Sequence, residues 1–217
     1  MTPAERKSIA DRYESRIVRG YVSGKLKHDP VYDAVLARLD PSPRPMLDLG
    51  CGVGILPLCL QARGLGREVV GVDLDIRKIE QARRAIPQSM NARFLHQDLR
   101  APLDDFSGDV MMLDVLHYFS DDDQSQILNH AARYAADGMI IIRDCLRDNS
   151  WRYRLTVLQE SFSGAIRWLQ AQMLNFPTRD IISNTLRGHG FAEEVTPLWG
   201  RTPFNNYLMV YRRPARN

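Results

Sequence analysis

From Pro45 onward the chain alternates two kinds of segment. Short apolar runs (PMLDLGC, EVVGVDLD, ARFLHQD, GDVMMLDVL and GMIIIRDC) are separated by ILPLCLQAR, IRKIEQARRAI and DDQSQILNHAARYAA, whose apolar residues fall at steps of three and four. Continuous apolar strands are buried on both faces, and strands alternating with amphipathic helices build a parallel sheet covered on both sides. The chain therefore reads as α/β. Asp121 with Gln124 three residues on reads as a capping box for the third helix of this series.

The two ends depart from this pattern. The N-terminal 40 residues read as helical and are ended by the stiff stretch DPSPRP, so the expected division is 1–44 and 45–217. After Ser150, the residues Trp151, Leu155, Leu158, Phe162, Ile166, Leu169 and Met173 keep helical spacing, as one long helix or two broken near Gly164. TRDIISNTLRGHG is a further helix, with Thr178 as its cap and Gly188 or Gly190 as its stop. FAEEVTPLW and NNYLMVYRR then read as two strands joined by a short turn containing Gly and Pro, hence antiparallel.

Composition excludes several classes. None of the apolar runs approaches the roughly 20 residues that span a bilayer, and the charged N-terminus does not read as a secretory leader. Cys51, Cys59 and Cys145 are odd in number and form no C-x-x-C pair, which argues against a disulfide framework and a zinc site and for a reduced cytoplasmic protein. The net charge of +3 is small but local, with basic residues gathered before His28, at Arg143, Arg147, Arg152 and Arg154, and in YRRPARN. These groups are either solvated faces or an attraction for an acidic partner or anionic substrate.

LDLGCGVG, Leu47 to Gly54, narrows the ligand. It lacks the G-x-x-x-x-G-K-[ST] of a phosphate loop. A dinucleotide fingerprint would need glycine at 55 or 57, where Ile55 and Pro57 stand. An acid, Asp48, precedes Gly50 by two residues, which suits a ligand of positive charge. Asp73 closes the second run, the place from which a carboxylate accepts from ribose hydroxyls. Asp98 closes the third and can accept from an exocyclic amine. Glycine backbone, a ribose acceptor and an amine acceptor without a phosphate site describe an adenosine joined to a cation, as in S-adenosylmethionine.

On these residues the chain resembles the class I S-adenosylmethionine-dependent methyltransferases. LDLGCGVG is similar to their first motif, and GVDLD, HQDL and DVMMLDVLHYF resemble the second, third and fourth, in order, between Pro45 and Cys145. The resemblance implies a Rossmann-like seven-stranded sheet of order 3-2-1-4-5-7-6, strand seven antiparallel, with an N-terminal helical cap. It implies that Asp48, Gly50 and Gly52 line the methionine part of the cofactor, Asp73 the ribose, Asp98 with Leu99 the adenine, and Leu113 with Asp114 the sulfonium, with Leu74 a further cofactor contact and S-adenosylhomocysteine the product. The cap segment suggests that Tyr13, Tyr21 and Lys25 reach a carboxylate of cofactor or acceptor, or else form a solvated helix face.

LHYFSDDD resembles the H-D-W-[ST]-D segment of small-molecule O-methyltransferases of the caffeic-acid type, which makes His117 the expected general base; Tyr118 and Phe119 depart from that pattern. The acceptor is then a hydroxylated aromatic. A looser likeness to methyltransferases of bacterial aryl-polyene or fatty-acid-type gene clusters suggests an acid on an acyl carrier protein, docked at Arg147, Arg152 and Arg154. The rivals are an RNA methyltransferase, for which no [DN]-P-P-[FY] stands after strand four, and a catalytically silent partner subunit, which tends to lose the acids present here. No metal site is expected, although Asp114 and Asp144 end neighbouring strands where they could share a Mg²⁺. The protein is expected to be a monomer or homodimer.

Overall fold

The computed structural model describes residues 1–148, 150–162, 174–199 and 204–214. Three helices come first: α1 (Pro3–Ala10), α2 (Arg16–His28) and α3 (Val31–Leu36). The first half of the sheet then follows as β1 (Met46–Leu49), α4 (Ile55–Ala62), β2 (Val69–Asp73), α5 (Ile76–Ala85) and β3 (Ala92–His96). The second half is β4 (Asp109–Leu113), α6 (Asp121–Tyr134), β5 (Met139–Cys145), α7 (Trp151–Phe162), α8 (Arg179–Gly188), β6 (Ala192–Pro197) and β7 (Asn206–Arg212). The sheet order is β3-β2-β1-β4-β5-β7-β6, with β1 to β5 parallel and β7 antiparallel to both neighbours.

Two apolar layers sandwich the sheet because successive strand residues point to opposite faces. Leu47, Val110, Ile140 and Met209 pack on one face against Ile127 and Leu128 of α6 and Ile182 and Leu186 of α8. Met46, Met111, Ile141 and Val210 pack on the other with Ile55 and Leu56 of α4. Ile9, Val22, Leu26 and Val35 of α1 to α3 belong to that same second layer. The N-terminal helices thus share the core of the sheet.

Local chemistry sets the helix ends. Thr178 accepts from the Ile181 N–H at 3.2 Å and caps α8, as its sequence suggested. The cap of α6 is displaced by one residue from the predicted Asp121. Ser120 accepts from the Asp123 N–H, and Gln124 instead donates to the carbonyls of Leu116, Phe119 and Asn175. The predicted break near Gly164, the stripe residues Ile166, Leu169 and Met173, and the turn at 200–203 lie outside the described residues.

This topology fixes where a site can form. The carboxyl ends of β1, β2, β4 and β5 share one edge of the sheet. Because β7 runs the other way, its first residue lies at that edge, with Asn206 paired to Cys145. Ligands of open α/β sheets bind in the crevice outside the carboxyl ends of the strands.

Candidate functional site

A cleft of about 1420 Å³ opens at this edge. Single small-molecule sites occupy roughly 300–1,000 Å³, so this one has room for two ligands side by side. Among the described residues, eight aspartates and five lysine or arginine side chains line it, an acidic surface in a chain of net charge +3.

The glycine loop forms one wall. Gly50 has φ +78°, and a β-carbon there would lie 2.8 Å from Cβ of Val115 and closer still to its Cγ2. Gly50→Ala is therefore expected to cost about 2–4 kcal/mol, from the left-handed strain together with the clash. The loss is measured as a fall in urea midpoint, and an unchanged midpoint would contradict the packing described. A β-carbon on Gly52 would instead meet open space.

The loop's own N–H groups are engaged inside the protein. Gly50 and Cys51 donate to the Val72 carbonyl, Gly52 donates to Oδ2 of Asp73 at 2.9 Å, and Gly54 donates to the Cys51 carbonyl. These four residues offer no anion cradle. Asp73 also accepts from the Asp75 N–H at 2.8 Å, so its carboxylate is fixed against the loop while still lining the cleft. Asp48 is only 3% exposed and, among the described residues, has no hydrogen-bond partner. Burial, and secondarily the Asp73 charge, push its carboxyl up to about 7.

Leu74, Leu99, Leu113, Asp114, Tyr21 and Lys25 also line the cleft, as expected. Two expected residues do not. Asp98 turns away because Arg100, two residues on, binds its carboxylate through both guanidinium and backbone N–H, which holds its carboxyl below the usual range. Tyr13 is buried, and its hydroxyl donates to the Val53 carbonyl at 3.0 Å. It props the glycine loop from behind.

Lys25 and Asp114 belong to a lattice of four charges. Lys25 binds Asp114 and Asp29, each at 2.7 Å, and Arg143 binds the same two carboxylates. The lattice ties α2 to the ends of β4 and β5, and Asp114 holds φ +59° within it. The Asp114 carboxylate is thereby committed to two cations. The Asp144 carboxylate is committed as well, accepting from the N–H groups of Leu116 and Cys145 and from His117. The pair therefore does not form the shared cation site that neighbouring strand ends suggested.

His117 lies on a one-turn 3-10 helix, Leu116–Tyr118, after β4. Its Nδ1 is 2.7 Å from Oδ1 of Asp144, which is only 1% exposed. A carboxylate only accepts, so Nδ1 carries a proton, and in the neutral imidazole the lone pair lies on Nε2. Among the described residues Nε2 has no partner, and His117 lines the cleft. Phe176 stands 5.5 Å from the imidazole, ring centre to ring centre, and Tyr153 packs edge-on against Phe176. Sequence reasoning missed the role of Asp144, since a residue 27 positions away has no local signature. The Cys145 thiol is pushed up to about 12 by burial, which leaves it without nucleophilic character at neutral pH.

Of the basic residues beyond β5, Arg147 binds Asp121 and Asn175, and Arg152 packs over the rings of Trp151 and Trp199. Arg154 is exposed.

Residues 46–138 match the model of the methyltransferase domain family. With that match, the sheet order and the glycine loop define the class I S-adenosylmethionine-dependent methyltransferase fold. Among solved structures, magnesium protoporphyrin IX methyltransferase from Synechocystis PCC 6803 is similar at 20% identity over 92% of this chain and 88% of its own, with a TM-score of 0.67. An S-adenosylmethionine-dependent methyltransferase from Mesorhizobium loti is similar at 18% identity over 87% and 100%, with a TM-score of 0.67. Human N-acetylserotonin methyltransferase is similar at 17% identity over 99% and 57%, with a TM-score of 0.63. No curated protein matches the sequence significantly.

Proposed function

We propose that this methyltransferase uses S-adenosylmethionine to methylate a hydroxyl of a small aromatic acceptor, with His117 as general base. The observation that carries this reading is the His117–Asp144 pair, with Nε2 uncommitted in a cleft large enough for two ligands.

The residues present fit the cofactor. Asp48 is a buried carboxyl without a donor beside the glycine loop, as an ammonium-bearing ligand requires. Asp73 is held with lone pairs to spare for ribose hydroxyls, while Leu74 and Leu99 offer apolar surface for an adenine. When bound, S-adenosylmethionine supplies an electrophilic methyl group.

The protein's own work is alignment and deprotonation. A phenol with pKa near 10 is about one-thousandth ionised at neutral pH, so prior ionisation costs roughly 4 kcal/mol. Nε2 of His117 takes the hydroxyl proton as the oxygen attacks. The imidazolium so formed is stabilised by Asp144, which the Leu116 and Cys145 N–H groups hold in place. Phe176 walls the acceptor side with an aromatic face.

The acidic lining speaks against an RNA backbone in this cleft, and the internal engagement of Arg147 and Arg152 leaves a carrier-protein dock with little support. Calorimetric titration with S-adenosylhomocysteine beside NAD and ATP tests the cofactor. Micromolar binding of the first alone is expected, weakened by roughly 1.5 kcal/mol or more in Asp73→Ala. Absence of binding would turn the reading toward a silent partner subunit.

A further inference from the structure

The turn that carries His117 is too short to hold itself. Leu116–Tyr118 is a single 3-10 turn, closed by the Tyr118 N–H on the Val115 carbonyl at 3.3 Å and the Phe119 N–H on the Leu116 carbonyl at 3.0 Å. Hydrogen bonds of this kind are poorer than those of an α-helix. A general base acts only while its ring stays within hydrogen-bond reach of the proton it takes. The rigidity of His117 must therefore come from outside its own turn.

One side chain supplies it. Gln124, one turn into α6, is fully buried and donates from Nε2 to the carbonyls of Leu116, Phe119 and Asn175 at 3.2, 3.1 and 2.8 Å. The Leu116 carbonyl belongs to the peptide that enters His117, and the N–H of Leu116 donates to Asp144. The backbone just before the base is thus fixed between Gln124 and the carboxylate that orients the imidazole. The Asn175 carbonyl ties in the facing wall. The Asn175 N–H donates to the His117 carbonyl at 2.8 Å, and Phe176, the next residue, stands against the imidazole. Two residues further along α6, Gln126 donates to the carbonyl of Arg100, which lines the cleft beyond β3. One rigid helix therefore sets the base turn, the aromatic wall and the loop after β3 relative to one another.

Packing alone does not ask for this amide. Two of the three carbonyls have a second donor, Leu116 in the Phe119 N–H and Phe119 in Nδ2 of Asn175. Oε1 of Gln124 is buried and, among the described residues, has no partner, and a buried acceptor left unpaired costs stability. Such a group is a poor choice for filling a core and a good one for holding a functional side chain from behind.

We propose that Gln124 is a positioning residue for the reaction, which acts through the main chain of Leu116 and Asn175 to hold His117 and Phe176 in a single arrangement. The assignment rests on His117 being the general base, as proposed above.

Gln124→Met keeps the length of the side chain and removes both polar groups. With 2-naphthol as acceptor, kcat is expected to fall at least tenfold, more than KM rises, while the Kd of S-adenosylhomocysteine stays within about twofold. In the His117→Ala background the same substitution should cost less than a further twofold, since it acts only through the imidazole. In protein labelled at histidine, the Nδ1–H resonance of His117, assigned by its loss in His117→Ala, should be sharp in the wild type and broadened in Gln124→Met. A loss in kcat below tenfold, a loss that multiplies with that of His117→Ala, or a resonance as sharp as in the wild type would each overturn the assignment while leaving the base standing. Should Gln124→Met fail to bind S-adenosylhomocysteine, Gln124→Asn, which keeps the amide one methylene short of its acceptors, is read against the same three criteria. Turnover of 2-naphthol absent in the wild type, or unchanged in His117→Ala, would remove the reading beneath the assignment and the assignment with it.

Discussion

His117→Ala is expected to lower kcat by roughly 10²–10⁴, the usual contribution of a positioned general base. Affinity for S-adenosylhomocysteine should stay within about twofold, because the imidazole faces the acceptor half. Asp144→Asn makes the sharper test. An amide in place of the carboxylate can donate to Nδ1, which moves the ring proton to Nε2 and removes the lone pair that accepts the substrate proton. At least a tenfold loss in kcat is expected. The double variant should lose little beyond His117→Ala alone, since residues acting as one unit are not additive. Losses that multiply in the double variant would show that Asp144 acts independently of His117, and unchanged turnover of His117→Ala on several hydroxylated aromatics would remove the base altogether.

The second large effect concerns pH. The Asp48 carboxyl is raised from 3.8 to about 7 by burial first and the Asp73 charge second. In the unfolded chain it titrates near the ordinary value, so between these two points the folded protein holds a proton that the unfolded chain has lost. The resulting stability is complete below about pH 4 and is lost as pH rises through 7, a fall of about 4 kcal/mol across that interval. Asp48→Asn does not titrate. It is expected to be more stable than wild type at pH 8 by up to about 4 kcal/mol and nearly level with it at pH 4, as read from urea unfolding at the two values. S-adenosylhomocysteine, which carries an ammonium, should bind the wild type more tightly as pH rises to about 7 and should lose that dependence in the variant. A stability difference that does not change with pH would sink the assignment. The group that destabilises the free protein would then be the one that a cationic ligand satisfies, a common trade-off at functional sites.

What the sequence revealed follows the range of the forces involved. The five parallel strands were legible because burial on both faces demands continuous apolar runs, and each run became a strand. The glycine loop was legible because backbone constraint is written in residue type. Asp98 lies outside the lining of the cleft because Arg100 stands only two residues on, and that local pairing holds its carboxylate. Tyr13 misled because its partner, the Val53 carbonyl, lies 40 residues away. The link of His117 to Asp144 arises only when β4 and β5 lie side by side.

The glycine loop also limits what this fold can become. With the N–H groups of Gly50, Cys51, Gly52 and Gly54 all donated inward, no single side-chain exchange converts this wall into a diphosphate receptor. Passage between sulfonium-binding and dinucleotide-binding descendants of one ancestral sheet would require the turn itself to be rethreaded, with residues inserted or removed so that its amides swing outward. Ligand class is stored here in the path of the main chain, and point mutation can tune it but not exchange it.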